Sequence, residues 1–225
     1  MKTHLGRRAF TAMELHTLFN GYIYGDEKLK REQPKHWHFW LPLLCYYTGA
    51  YSDEVGSLTL DDIHHKEHVH LFHFQTHGKI QPRYVPIHPA LWQAGLEPYL
   101  AMIKQQGQQR LMFDLPAKTG RYSEKVRIWF SGEGERQGYL QKTGLPNIDQ
   151  QGLKTAISSL RLNFEQQVRI SAIQHGSKAS FMYLMGLKQE GYEVPQPPHG
   201  LLKQIISPIR VVNPNATWQR FMARH

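Results

Sequence analysis

The chain has 225 residues, 40% of them hydrophobic and 20% charged, an ordinary balance for a folded, soluble protein of one large domain or two small ones. No stretch reaches the roughly 20 apolar residues of a membrane span, and no apolar core follows the basic start MKTHLGRRAF as a secretory signal would require. A single cysteine, Cys45, excludes an internal disulfide framework, and a net charge of +9 points towards a phosphate-bearing partner rather than a membrane.

The positive residues form no polybasic run, so a charged face assembled by folding is expected instead of a basic tail. Cys45 lies in an apolar segment and reads as a small buried hydrophobe. A cytoplasmic location fits the lone thiol and the lack of a leader.

In chain order, Thr11-Ala-Met-Glu14 is a capping box with Leu15, Leu18 and Phe19 at helical spacing behind it. GYIYGDEKLKREQPKHW, punctuated by Gly and Pro, reads as a loop. An apolar helix is expected from His38 to Tyr47, with Pro42 tolerated early in it and Thr48-Gly49 ending it. Leu58 to Ile63 reads as a short helix or turn closing against that helix. HVHLFHF and RYVPIH are strands, joined through QTHGKIQP as a hairpin. Pro89 opens a helix, PALWQAGLEPYLAMIKQQ, with apolar residues at Leu91, Leu96, Leu100 and Ile103. LMFDLP is read as a short extended piece and SEKVRIWFSGEGERQGYLQKTG as two helical pieces around Gly132 and Gly134. A long helix is expected over about Gln151 to Ile170, a shorter one ending at Leu184 to Leu187, and a last one in GLLKQIISPI. The result is a mainly α chain with a small antiparallel sheet, in a single domain spanning residues 1–225.

No phosphate-binding loop, nucleophile elbow or dinucleotide fingerprint is present. The stretch DDIHHKEHVHLFHF places His68 and His70 on one face of a strand, which is metal-capable spacing. It supplies no third fixed ligand, so a polar outer sheet face is the simpler reading, with neither metal nor cofactor expected. KHWHFW has the aromatics of a base-stacking platform but the spacing of a core helix.

The order of segments is more specific than any one of them. FTAMELHTLF, the TGA---E-----L--DDI block, a hairpin ending R-VPIHPAL, then LMFDL and KTAISSLR--F together resemble the catalytic domain of tyrosine recombinases, the phage integrase family. The resemblance runs from about Phe10 to Ile209. It implies that family's DNA breaking-rejoining fold, double-stranded DNA as partner, and strand transfer through a phosphotyrosine. The family's N-terminal DNA-clamp domain is expected to be absent, since only nine residues precede Phe10.

Carried over position by position, the resemblance implies an eroded active site. The family's first catalytic arginine falls on Tyr51, three residues before Glu54. Its hairpin lysine falls on His77, with Lys79 two residues along as a stand-in general acid or an ordinary turn lysine. The His-x-x-Arg pair reads Ser158-Ser159-Leu160-Arg161, keeping only the arginine. The later Gly-His pair reads Gly186-Leu187, and the nucleophile position falls next to Tyr192, with Tyr183 as an alternative on the preceding helix. Lys79, Arg83, Lys154 and Arg161 are the expected DNA contacts, with Arg161 inside the basic face and its removal costing little stability; a structural ion pair is the other reading of Arg161.

Attack on a phosphodiester needs cations and donors fixed on its non-bridging oxygens, and removal of one such donor costs on the order of 10²–10³ in rate. Positioning a duplex needs only many modest phosphate contacts. The expectation is therefore an integrase-like DNA-binding protein, inactive or impaired in strand transfer. An active recombinase using Tyr192, and a protein-interaction module that regulates a recombinase, are the alternatives. A homologous recombinase or self-association would supply a protein partner.

Overall fold

The structure is a computed structural model that describes residues 6–26, 33–188 and 194–224. Helices α1 (Ala12–Leu18), α2 (His36–Thr48) and α3 (Ser52–Ser57) lead through a 3-10 turn (Leu60–Asp62) into strands β1 (Ile63–Lys66), β2 (Val69–Phe74) and β3 (Arg83–Pro86). Then follow α4 (Pro89–Gln93), α5 (Leu96–Gln105), α6 (Ser123–Ser131), α7 (Tyr139–Lys142), α8 (Ser159–Gln174), α9 (Lys178–Leu184), α10 (His199–Ile206) and α11 (Trp218–Met222). The fold is mainly helical with one three-stranded antiparallel sheet in the order β1-β2-β3, as the pattern of segments leads one to expect. Among the described residues no helix is long and apolar enough to cross a membrane.

Helix α2 is the axis of the core. From Trp37 to Thr48 every residue except His38 is buried, the mark of a helix enclosed on all sides. It starts at His36, before the expected His38, so Pro42 sits inside the helix instead of near its start. The missing N-terminal cap comes from a distant segment: Asp114 accepts the backbone N–H of His36 at 2.7 Å and of Trp37 at 3.3 Å. That contact also explains why LMFDLP is a turn and not the extended piece expected, because its carboxylate must face back onto the helix.

At its other end α2 closes on Gly49 in the left-handed conformation, φ 66°. A Cβ there would collide with the Phe164 ring of α8, so glycine is demanded twice, by conformation and by the close approach of the two helices. Helix α8 begins at Ser159, later than expected, because Asp149 accepts the N–H groups of Gln151 and Leu153 at 2.9 Å each and turns the chain there. The Pro89 helix is likewise split into α4 and α5 by Gly95 at φ 95°.

The hairpin between β2 and β3 forms as expected, with Phe74 opposite Arg83. Strand β1 was not expected, since Ile63-His-His-Lys lacks an alternating pattern. Its pairing with β2 sets His65 opposite His70, with ring centroids 4.4 Å apart. Glu67 and His68 form the connecting turn with φ 50° and 61°, so His68 and His70 do not share a strand face. Among the described residues no group of three or more His, Cys, Asp or Glu side chains is arranged to hold a metal.

One continuous core joins Phe10 at the start to Phe221 near the end. KHWHFW belongs to it. Trp37, Phe39 and Trp40 are buried, and Trp40 stacks on Tyr99 at 4.9 Å. Within this core lies an ion pair, Arg83 Nη1 to Glu54 Oε1 at 2.6 Å, with side chains 0% and 1% exposed. Removing one partner leaves the other buried and uncompensated, so Glu54→Gln should lower unfolding free energy by about 3–5 kcal/mol, read by urea denaturation. The double change Glu54→Leu with Arg83→Met should recover most of that loss.

A second stability prediction concerns pH. The His38 ring stacks on Trp129 at 4.5 Å and 5°, and its Nδ1 accepts the Lys35 N–H at 3.0 Å. Burial, with Lys35 nearby, pushes its pKa down from 6.5 to about 3. The unfolded chain therefore binds this proton first, and the contribution present above pH 6.5 is lost as pH falls towards 3. Between pH 6.5 and 4 the loss should reach about 2–3 kcal/mol, discounting for the ring's partial exposure. His38→Asn, which keeps an acceptor for Lys35, should flatten that limb of the denaturation profile.

Candidate nucleic-acid interface

The turn after α2 places Tyr51 as the residue that begins α3, its N–H donating to Glu54 Oε2 at 2.8 Å. Two residues on, Asp53 Oδ1 accepts the N–H groups of Tyr122 and Ser123 at 2.6 and 2.7 Å. This binds the start of α6, and the tight turn Lys118–Arg121 before it, against α3. Thr119 and Gly120 at φ 49° and 75° close that turn, which aims both flanking cations the same way. On the other side the N-terminal segment lies along residue 154: Lys154 donates its N–H to Gly6 O at 2.8 Å, and Arg8 donates to Lys154 O at 3.1 Å. Arg7 is carried in with it.

These pieces enclose an open cleft of about 560 Å³ whose walls include Tyr51, Asp53, His77 and Ser158, with Arg7, Lys118, Arg121 and Arg127 around it. Its electrostatics are cationic. Lys118 meets Glu124 at 3.1 Å and Arg127 meets Glu133 at 2.6 Å, but these pairs are largely exposed and weakly held. Arg7 and Arg121 have no carboxylate partner among the described residues. Asp53 is partly spent, one oxygen serving two backbone donors and the other lying 3.9 Å from His77 Nε2.

Tyr51, His77 and Ser158 thus line one cleft. Arg161 is next to them but beneath the surface, only 6% exposed. Its Nη1 donates to Gly49 O and its Nη2 to Met185 O at 2.6 Å, and the Tyr51 ring covers it with the guanidinium carbon 4.6 Å from the ring centroid. Desolvation lowers its pKa, yet an arginine stays charged. The expected role inside a phosphate-binding face is corrected here: both terminal nitrogens are committed to backbone carbonyls, and the partner is not the internal carboxylate of the other reading.

Arg83 needs the same correction. A residue 1% exposed and held by Glu54, with Nε on Leu184 O at 2.9 Å, offers no phosphate contact. Lys79, at the exposed tip beside Gly78, and Lys154, exposed beside Arg7, keep surfaces to offer. Leu187 lies outside the cleft, against Phe181 and Met182. Tyr192 lies outside the described residues. Tyr183 is 8% exposed with its hydroxyl accepting the Tyr84 N–H at 3.0 Å, and burial raises its pKa, so it is not poised to attack a phosphate.

The sequence reading missed Arg7, Lys118, Arg121 and Arg127. A signal existed for two of them, because Lys-Thr-Gly-Arg is a turn motif with a cation on each side. No family model, curated protein or solved structure matches this chain.

The geometry predicts a mainly structural Arg161. Charge-assisted hydrogen bonds are worth roughly 1.5–3 kcal/mol each, so Arg161→Met should cost about 3 kcal/mol or more of stability. Duplex affinity per folded molecule should stay within about twofold, a separation that denaturation and fluorescence anisotropy on the same samples will read.

Proposed function

We propose that this chain binds double-stranded DNA through the cleft between α3, the 118–121 turn and the start of α8, and that its fold is of the tyrosine-recombinase type with an incomplete transition-state shell. One observation carries the reading. Tyr51, His77 and Ser158, which a resemblance in sequence assigned to one active site, line a single cleft together with Arg7, Lys118, Arg121 and Arg127.

The chemistry of the cleft favours holding phosphates over breaking them. The phenol of Tyr51 cannot make the bidentate clamp of a guanidinium. Ser158 is a neutral hydroxyl where a titrating imidazole is required, and Leu187 brings no donor at all. The one matched arginine is roofed by Tyr51 and donates from both terminal nitrogens to backbone carbonyls. The cations that remain are exposed and spread around the rim, which is the arrangement for following a phosphate backbone.

Affinity for a labelled duplex should fall steeply with salt. Neutralising Arg7, Lys118, Arg121 and Arg127 to Gln should reduce the slope of log K against log salt by about 3–4. The same change at Lys104, in the last turn of α5, should leave the slope nearly unmoved. Binding at low salt that is absent, or indifferent to salt, overturns the DNA reading. Strand transfer is tested separately with a duplex nicked beside the scissile phosphate, which traps a covalent adduct. No adduct is expected. An adduct lost on Tyr192→Phe would identify an active enzyme.

A further inference from the structure

The last turn of α8 and the first of α9 form a second hollow, chemically unlike the cleft. Its floor is Ile173, Phe181, Met182 and Leu187, and it has a volume of about 560 Å³. Ile173 is 72% exposed, Leu187 38%, and Ile170, one turn before Ile173 on α8, 61%. Exposed isoleucines beside such a hollow, bordered by charge, make it a candidate interaction site. Among the described residues Arg169 and Lys178 border it and no carboxylate lines it. Arg169 is held in place by Glu165 at 2.6 Å and by the Phe181 ring, 4.4 Å from its guanidinium carbon.

We propose that this groove receives a short amphipathic segment of a partner protein, apolar on the face it inserts and acidic along its flanks. Size and charge select that occupant. The hollow has the volume of a few side chains, which suits the apolar face of an inserted helix or strand. Pairing with the same groove of a second copy would set Arg169 and Lys178 against their own likenesses. DNA gains nothing from an apolar floor. Acidic flanks, in contrast, meet Lys178 directly and share Arg169 with Glu165.

The site is also well separated from the cleft. Ser158 stands at the start of α8 and Ile173 near its end, and a helix of 16 residues is about 24 Å long. A segment docked here leaves the proposed DNA face free, so a partner and a duplex can be held at once.

Fluorescence anisotropy with two labelled peptides tests this. Both carry Leu at positions i, i+3, i+4 and i+7; one has Glu on the remaining face and the other Lys. The Glu peptide should bind with a dissociation constant on the order of 10 μM, and the Lys peptide at least tenfold more weakly. Ile173→Asp should weaken the Glu peptide at least tenfold, with melting temperature and duplex affinity unchanged because that side chain is exposed. Arg169→Glu with Lys178→Glu should reverse the preference between the peptides. Equal binding of both peptides, binding of neither, or indifference to Ile173→Asp overturns the proposal. Concentration-dependent self-association in sedimentation that Ile173→Asp abolishes also overturns it, assigning the groove to a second copy.

Discussion

The corner after α2 depends on charges kept away from water. Glu54 receives Arg83 on one carboxylate oxygen and the Tyr51 N–H on the other, while Arg83 also holds Leu184 O and Arg161 holds Gly49 O and Met185 O. Two guanidinium groups thereby tie together the ends of α2 and α9, the start of α3 and the strand β3. Both also sit where helices finish, at Gly49 after α2 and at Leu184 and Met185 closing α9, where the carbonyl ends of the helix dipoles favour a cation. Three buried charges with one carboxylate among them would be costly in an apolar core. The carbonyl oxygens supply the missing acceptors, although Arg83 Nη2 has no partner among the described residues.

This knot explains the division between the cleft and what lies under it. Arg161 is held inward by two carbonyls, and an aromatic ring at position 51 suits a roof over a guanidinium better than a second cation would. An arginine there would face Arg161 and Arg83 at close range without a phosphate to separate them. The tyrosine converts a place where positive charges would gather into a neutral lid. The cations that line the cleft come from elsewhere, on the N-terminal segment, the turn before α6, and α6 itself. Each is exposed, so each is worth little to stability and remains available to a polyanion.

The same separation holds along α8. Its first turn is packed under Tyr51 and beside Gly49, its middle is buried against α2, and only its last two turns show isoleucines to solvent. One helix thus contributes to a polar cleft at one end and an apolar groove at the other. The two surfaces make demands on different residues, and substitutions at either end act on one surface with little effect on the other.

Much of the secondary structure could be read directly, because its causes are local. Thr11 and Glu14 make the reciprocal cap expected of them, with Thr11 N–H on Glu14 at 2.8 Å and Glu14 N–H on Thr11 at 3.2 Å. The enclosed helix, the β2–β3 hairpin and the two helical pieces before residue 143 follow from apolar runs and turn residues. Errors arose where a distant group took a local one's place. Asp114 turned LMFDLP to cap α2, Asp149 delayed α8, and β1 formed only because β2 was there to pair with it. The site shows the same boundary. Residue identities alone establish that Tyr51, Ser158 and Leu187 bring no cation or imidazole, whatever the fold. Which cations face solvent was decided by packing: Arg83 and Arg161 are drawn inward by buried acceptors, whereas Arg7, Lys118, Arg121 and Arg127 stay out because no interior acceptor reaches them. A buried charge depends on partners far away in the chain, and these become neighbours only when it folds.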